Sequence, residues 1–226
     1  MKRNAKSSRS SVARRTRVVW GALLGAMTVV GGLLWALDGA KGPTSGGWAL
    51  PALVASAGPR SYEGIFSTKA PITPGRWQGI VIHHSSSVVG TPASLDSEAQ
   101  ARGLKGLGYH FVLGNGNGIG DGEVHVGYRW MQQKSGAHAA GKNGEWYNVN
   151  TIGICVIGDG DRKTFTPEQM TRLVGLVNSL CRELNIPADR VVLHRDIAAT
   201  TSPGELFPQA WFREQLVSQG MIHPQD

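Results

Sequence analysis

Gly79-Ile80-Val81-Ile82-His83 is a short uncharged apolar run that ends on an imidazole, with a second, His84, directly after it. Such a run, too short for a typical helix, reads as a strand buried in a sheet. From Trp77 onward the rest of the chain falls into line with it. Ser94 to Lys105 is helix-compatible, with Ser94 a candidate cap. Tyr109 to Leu113 reads as a strand, Gly114 to Gly122 as a Gly/Asn turn region, and Val124 to Trp130 as a continuation of the sheet. Thr151 to Ile157 is a second buried strand. Thr166-Pro167-Glu168-Gln169 combines a cap, a first-turn proline and a capping-box glutamine. Met170, Leu173, Val174, Val177, Leu180, Cys181 and Leu184 then share one helical face. Arg190 to His194 predicts another strand, and Pro208 opens a last helix with Trp211, Phe212 and Leu216 on its apolar side. Strands mixed with helices predict an α/β domain, a central mixed β-sheet flanked by helices.

The chain has 226 residues and a formal charge of +7, but the excess is confined to one end. Lys2, Arg3, Lys6, Arg9, Arg14, Arg15 and Arg17 precede the first acid, Asp38, and the remainder is formally neutral. A neutral domain lacks the basic footprint of a nucleic-acid binder, so no nucleic-acid partner is expected. Residues 18–37 carry no charge, and at helical rise they cover about 30 Å, one hydrocarbon thickness. With Trp20 and Trp35 near its ends and the basic tail 1–17 before it, this segment predicts a transmembrane helix that places the C-terminal domain outside the cytoplasm. A cleaved signal peptide and secretion are the alternative. Residues 38–76, rich in Gly, Pro, Ser and Ala, read as a linker, and 218–226 as a tail. Cys155 and Cys181 both fall on apolar faces and read as buried free thiols.

The histidines carry the chemical signal. His83 and His84 end one strand and His194 another, and ends of buried strands open onto shared clefts. Two imidazoles meeting there from distant parts of the chain have the donor chemistry of a zinc site. Tyr109, His110 and His138 lie in other segments that the same cleft could gather. The loop at Gly114 to Gly122 lacks the lysine of a phosphate-binding loop and the acidic spacing of an EF-hand.

Val81-Ile82-His83-His84-Ser85, Gly108-Tyr109-His110-Phe111, Gly136-Ala137-His138-Ala139, Asn150-Thr151-Ile152-Gly153-Ile154 and His194-Arg195-Asp196 with Ser202-Pro203-Gly204 occur in that order. Together, over residues 77–217, they resemble the type 2 N-acetylmuramoyl-L-alanine amidases, which include phage amidases and peptidoglycan recognition proteins. The resemblance implies a peptidoglycan stem peptide as partner and Zn²⁺ as cofactor. It places His83 and His194 as metal ligands, Tyr109 as the group that polarises the substrate carbonyl, and His138 beside it in the groove. His84, His110 and Thr200 fall at positions on the substrate side, His84 and His110 with a structural role as the alternative. The family's third ligand is Cys or Asp, and its position is held here by Ser202. A neutral hydroxyl is a poor ligand, so metal binding should be weakened. Glu205 and Asp196 are the acids near enough in sequence to substitute, and Glu145 is the acid nearest to His138. The resemblance implies one of two functions: a zinc-dependent hydrolase of the lactyl–L-Ala amide bond, or a non-catalytic peptidoglycan-binding module.

Overall fold

The computed structural model describes residues 61–216. The basic tail, the apolar span 18–37, linker residues 38–60 and the tail 218–226 lie outside the described residues. Among the described residues, no helix is long and apolar enough to cross a membrane.

Strand β1 (Gly79–His84) is the centre of the design. It pairs in parallel with β4 (Thr151–Val156) on one side and with β5 (Val191–Leu193) on the other. Strand β2 (Phe111–Leu113) runs parallel beyond β4, and β3 (Val124–Val126) closes that edge antiparallel. The order β3-β2-β4-β1-β5 makes a mixed five-stranded sheet, as the alternation of strands and helices predicts.

Every residue of β1 and β4 is buried, so successive side chains go to two different covered faces. Ile80 and Ile82, with Ile152 and Ile154, belong to the main core together with Leu173, Val177 and Leu180 of helix α4 (Pro167–Leu184). Cys155, at an intervening position of β4, joins Val112 of β2, Ile157 just past β4 and Leu95 of helix α1 (Pro92–Ala101) in a smaller cluster on the opposite face. Helix α4 begins as its sequence dictates. Thr166 Oγ1 accepts the Gln169 amide at 3.0 Å, and Gln169 Oε1 accepts the Thr166 amide at 3.1 Å. It ends at Asn185 in a left-handed conformation.

Several boundaries differ from the sequence reading. Helix α1 is capped by Thr91, not Ser94; Ser94 sits three residues on and completes a reciprocal box with it. Tyr109 and His110 precede β2 rather than belonging to it. After β3 the chain turns at Gly127 into a short helix, α2 (Tyr128–Met131), rather than continuing the sheet. His194 begins a 3₁₀ turn, His194–Asp196, just past β5. The last helix follows α3 (Gly144–Asn150) and α4 as α5 (Gln209–Leu216). It buries Phe212 and Leu216 but leaves Trp211 40% exposed. Part of the expected linker belongs to the domain. Ile65 is buried, its carbonyl accepts the Trp130 indole N–H at 2.6 Å, and the Lys69 and Ala70 amides both bond Met131 O. The two cysteines are free and buried, as expected.

Among the described residues, one side-chain amide in the core has no partner. Asn178 of α4 is 3% exposed, and neither amide atom is hydrogen-bonded. Two buried, unsatisfied atoms are destabilising, whereas an apolar side chain of similar volume has no such penalty. Asn178→Leu should therefore stabilise the domain by about 1–2 kcal/mol, a rise in Tm of roughly 2–8 °C. Thermal unfolding checks this, and a lowered midpoint would mean the amide is satisfied in solution.

Candidate functional site

The carboxyl ends of β1 and β5 lie side by side because Ile82 is in register with Leu193. The next residue on each chain is a histidine, and the His83 and His194 rings come to 4.3 Å centroid to centroid. Crevices at the carboxyl ends of parallel strands are where open α/β sheets bind ligands. A cavity of about 320 Å³ opens here, lined by Tyr109, His138 and His194, with an apolar wall that includes Leu95 and Ala99, and with Arg102 at its edge. A larger cavity of about 670 Å³, lined by residues such as Phe66, Trp77 and Leu184, contains no histidine. It lies near the amino ends of β1 and β5, away from this chemistry.

Hydrogen bonds fix the imidazole tautomers. His138 Nε2 lies 3.4 Å from the Thr151 carbonyl, which can only accept, so Nε2 carries the proton. His138 Nδ1 is then an acceptor for His83 Nε2–H at 3.1 Å. That leaves Nδ1 of neutral His83 as a lone pair. His194 contributes a buried Nε2 with no hydrogen-bond partner. Two adjacent imidazoles whose donor nitrogens are not used within the protein suit a shared cation. A partner that accepts the other ring N–H is the usual support for a metal-ligating histidine. The pair fits zinc, and His83 and His194 would hold it.

The position of the third ligand fits less well. Ser202 is buried, but its Oγ already accepts the His84 amide at 3.1 Å. Neither nearby acid replaces it. Asp196 accepts the Leu193 amide at 2.9 Å, and Glu205 is exposed. Thr200 turns its hydroxyl to the Ser202 amide at 3.2 Å. Glu145 is an exposed residue in the first turn of α3.

Strand alternation separates His84 from His83, because neighbours on a strand face opposite ways. His84 Nδ1 accepts the Gly160 amide at 3.0 Å, and Nε2 meets Ser86 Oγ at 3.1 Å. His84, Asp159 and Asp161 bring one ligand atom each within 4.8 Å of one another, a candidate metal-binding group that the sequence reading missed. Its donors are engaged, however. Asp161 accepts from Thr201 Oγ1 at 2.6 Å and from the Glu205 amide, and Asp159 accepts the Asp161 amide. The cluster fastens the loop that carries Ser202 to the end of β1. His110 is likewise committed, its Nδ1 accepting the Gly153 amide and its Nε2–H donating to Lys134 O, each at 3.0 Å.

Two further residues shape the cleft without any sequence signal. Asn148 Oδ1 accepts the amides of His138 and Ala139, and its Nδ2 donates to Ala139 O, so it fixes the turn that presents His138. The Cys155 thiol, buried in β4, lies close enough to the Tyr109 phenol to act on it electrostatically. Burial raises Tyr109 well above the ordinary phenol value, so it remains a proton donor at neutral pH. Glycine is required where segments press together. A Cβ on Gly153 would lie 2.4 Å from the His138 ring, and one on Gly108 would lie 2.3 Å from Ala137 O.

Burial is also the main cause of depressed histidine basicity. It lowers His110 from 6.5 to about 3 and His138 from 6.5 to about 4, and it drives His83 well below 6.5 with help from the neighbouring His138 and His194. A histidine with a depressed folded value binds its proton more readily when unfolded. Its contribution is therefore complete above pH 6.5 and is lost as pH falls toward 4 and then 3. Stability should be level near pH 7–8 and then decline, by about 1.4 kcal/mol per pH unit for each such histidine. Urea unfolding across pH 4–8 measures this; a flat profile would show that these rings titrate normally.

Comparison with known proteins agrees with this geometry. Residues 73–205 match the family model described as N-acetylmuramoyl-L-alanine amidase. The endolysin of Klebsiella phage KP32 is 32% identical over 124 residues, which is 52% of this chain and 72% of the phage protein. Peptidoglycan-recognition protein SC2 of Drosophila melanogaster is 29% identical over 134 residues, which is 55% of this chain and 66% of that protein. Among solved structures, the N-acetylmuramoyl-L-alanine amidase LysC from Clostridium intestinale aligns with a TM-score of 0.50 and 27% identity, covering 66% of this chain and 96% of its own. The match spans the sheet, the paired histidines and the Ser202 loop, and the chain belongs to the N-acetylmuramoyl-L-alanine amidase family.

Proposed function

We propose that the domain is a zinc-dependent N-acetylmuramoyl-L-alanine amidase that hydrolyses the bond between the lactyl group of N-acetylmuramic acid and L-alanine. The observation that carries this reading is the 4.3 Å approach of the His83 and His194 rings. Zinc bound there would supply Lewis acidity, polarising the amide carbonyl and making water more acidic. The chain's own groups do the rest. The Tyr109 ring centroid lies 5.2 Å from that of His83, and its phenolic O–H, keeping its proton, donates a hydrogen bond to the carbonyl oxygen as charge builds there. His138 accepts from His83 and so holds it in one tautomer; relaying a proton to the leaving amine would require it to give up that bond. Water adds to the lactyl carbonyl carbon, the C–N bond breaks, and the alanine nitrogen leaves with a proton. Arg102, the formal cation lining the cavity, pairs with Glu98 at 3.7 Å in an exposed salt bridge, and a carboxylate of the stem peptide would compete for it there.

A second reading, a peptidoglycan-binding module that does not cut, is favoured by Ser202. Its hydroxyl brings no negative charge to a metal and is already engaged with the His84 amide. The apolar span 18–37 supports placing the domain outside the cytoplasm, on a membrane anchor or after secretion.

Metal content and turnover of the purified chain separate the two readings. Stoichiometric zinc with release of stem peptides from peptidoglycan establishes the enzyme; muropeptide binding without zinc or release establishes the module. Ser202→Cys should raise zinc affinity by about tenfold or more, because a thiolate replaces a neutral hydroxyl. No rise in a competition titration would show that this position does not reach the ion. His194→Ala should abolish zinc binding, measured the same way, while leaving the fold intact by circular dichroism.

A further inference from the structure

The cleft is framed by two loops, one carrying Tyr109 and His110 and the other carrying His138, and a single buried guanidinium spans them. Arg129 of α2 is 9% exposed and forms no ion pair among the described residues. Its Nε donates to Leu107 O at 2.7 Å, two residues before Tyr109. Its Nη1 donates to Ser135 O at 2.6 Å, three residues before His138, and its Nη2 reaches Lys105 O at 3.5 Å. The loops are also joined directly, by the Ala137 amide on Gly108 O at 2.9 Å and by His110 Nε2 on Lys134 O at 3.0 Å. Burying a charge without a counter-ion is costly, and a planar fork that satisfies carbonyls on two loops at once is what the cost secures.

We propose that Arg129 is a positioning residue. It sets the distance between the Tyr109 and His138 walls and thereby the fit of the stem peptide. The inference rests on the reading of this cleft as the muropeptide groove. A lysine cannot replace it, because an ammonium offers no rigid fork to bridge both carbonyls.

Arg129→Met leaves the Leu107 and Ser135 carbonyls without their donor and so costs stability, which is why positioning is read against a core variant that is destabilised as well. Arg129→Met, Arg129→Lys and a core control, Leu176→Ala, are compared in the full chain. Leu176 is fully buried in α4 and remote from both loops in the sequence. Calorimetry with muramoyl tripeptide should show affinity about tenfold or more weaker in both Arg129 variants and unchanged in the control. Equal affinity in Arg129→Met and the control would overturn the proposal. If the native chain binds no muramoyl tripeptide, the groove reading fails, and amide exchange then decides the clamp alone. Faster exchange at Ala137 and Gly153 in Arg129→Met than in Leu176→Ala supports it; equal exchange in the two overturns it.

Discussion

The parallel pairing of β1 with β5 is the constraint on which the site depends. Their register sets Ile82 opposite Leu193 and leaves a histidine as the next residue of each chain. A shift of one residue in β1 would send His83 to the α4 face and put His84 in its place. Register is held by burial: Ile80, Ile82, Val191 and Leu193 all fill the main core, so slippage would expose aliphatic side chains worth about 1.5–3 kcal/mol each. The same hydrophobic force that folds the sheet thereby brings two distant imidazoles together.

Around that pair the structure uses its polar groups in two ways. Some are consumed in holding the cleft open: His84 and His110 spend both ring nitrogens within the protein, as does Arg129 its guanidinium on loop carbonyls. Others are left free: the His194 Nε2 has no partner, and His83 retains a lone pair once its other nitrogen donates to His138. That division separates histidines with an unused ring nitrogen from those committed to the framework. It also bears on the His84, Asp159 and Asp161 group, whose ligand atoms are close but already bonded to the loop they secure.

Ser202 belongs to both classes. By sequence alignment with the family it holds the third-ligand position, and by bonding it supports β1 through the His84 amide. A loop held by Asp161, Thr201 and Arg195 keeps it in place, with Arg195 Nη1 donating to Gly204 O at 2.6 Å. A thiolate or carboxylate there would add charge to a bound cation; a hydroxyl instead leaves the site dependent on two neutral imidazoles. Ser202 is therefore the residue at which the proposed hydrolase and the proposed binding module differ in what they require.

The sequence by itself determined the two central strands to within a residue, Gly79–His84 and Thr151–Val156, the amphipathic helix opened by Thr166, and the presence of a histidine at the end of each of two strands, whose meeting the β1–β5 register decided. Those signals are local periodicity, capping chemistry and residues placed at strand ends. It placed the start of α1 three residues late, because Thr91 and Ser94 cap reciprocally and either reads alone as a cap. It missed that residues 61–76 pack on the domain, since Ile65 and Trp130 are 65 residues apart and only folding joins them. Only the tertiary structure decided that His84 and His110 are spent within the framework, that Asn148 fixes the turn at His138, and that Arg129 bonds the carbonyls of Leu107 and Ser135. Those assignments rest on hydrogen bonds to carbonyls and amides of other segments, and backbone groups are the same at every residue, so no pattern of side chains announces them.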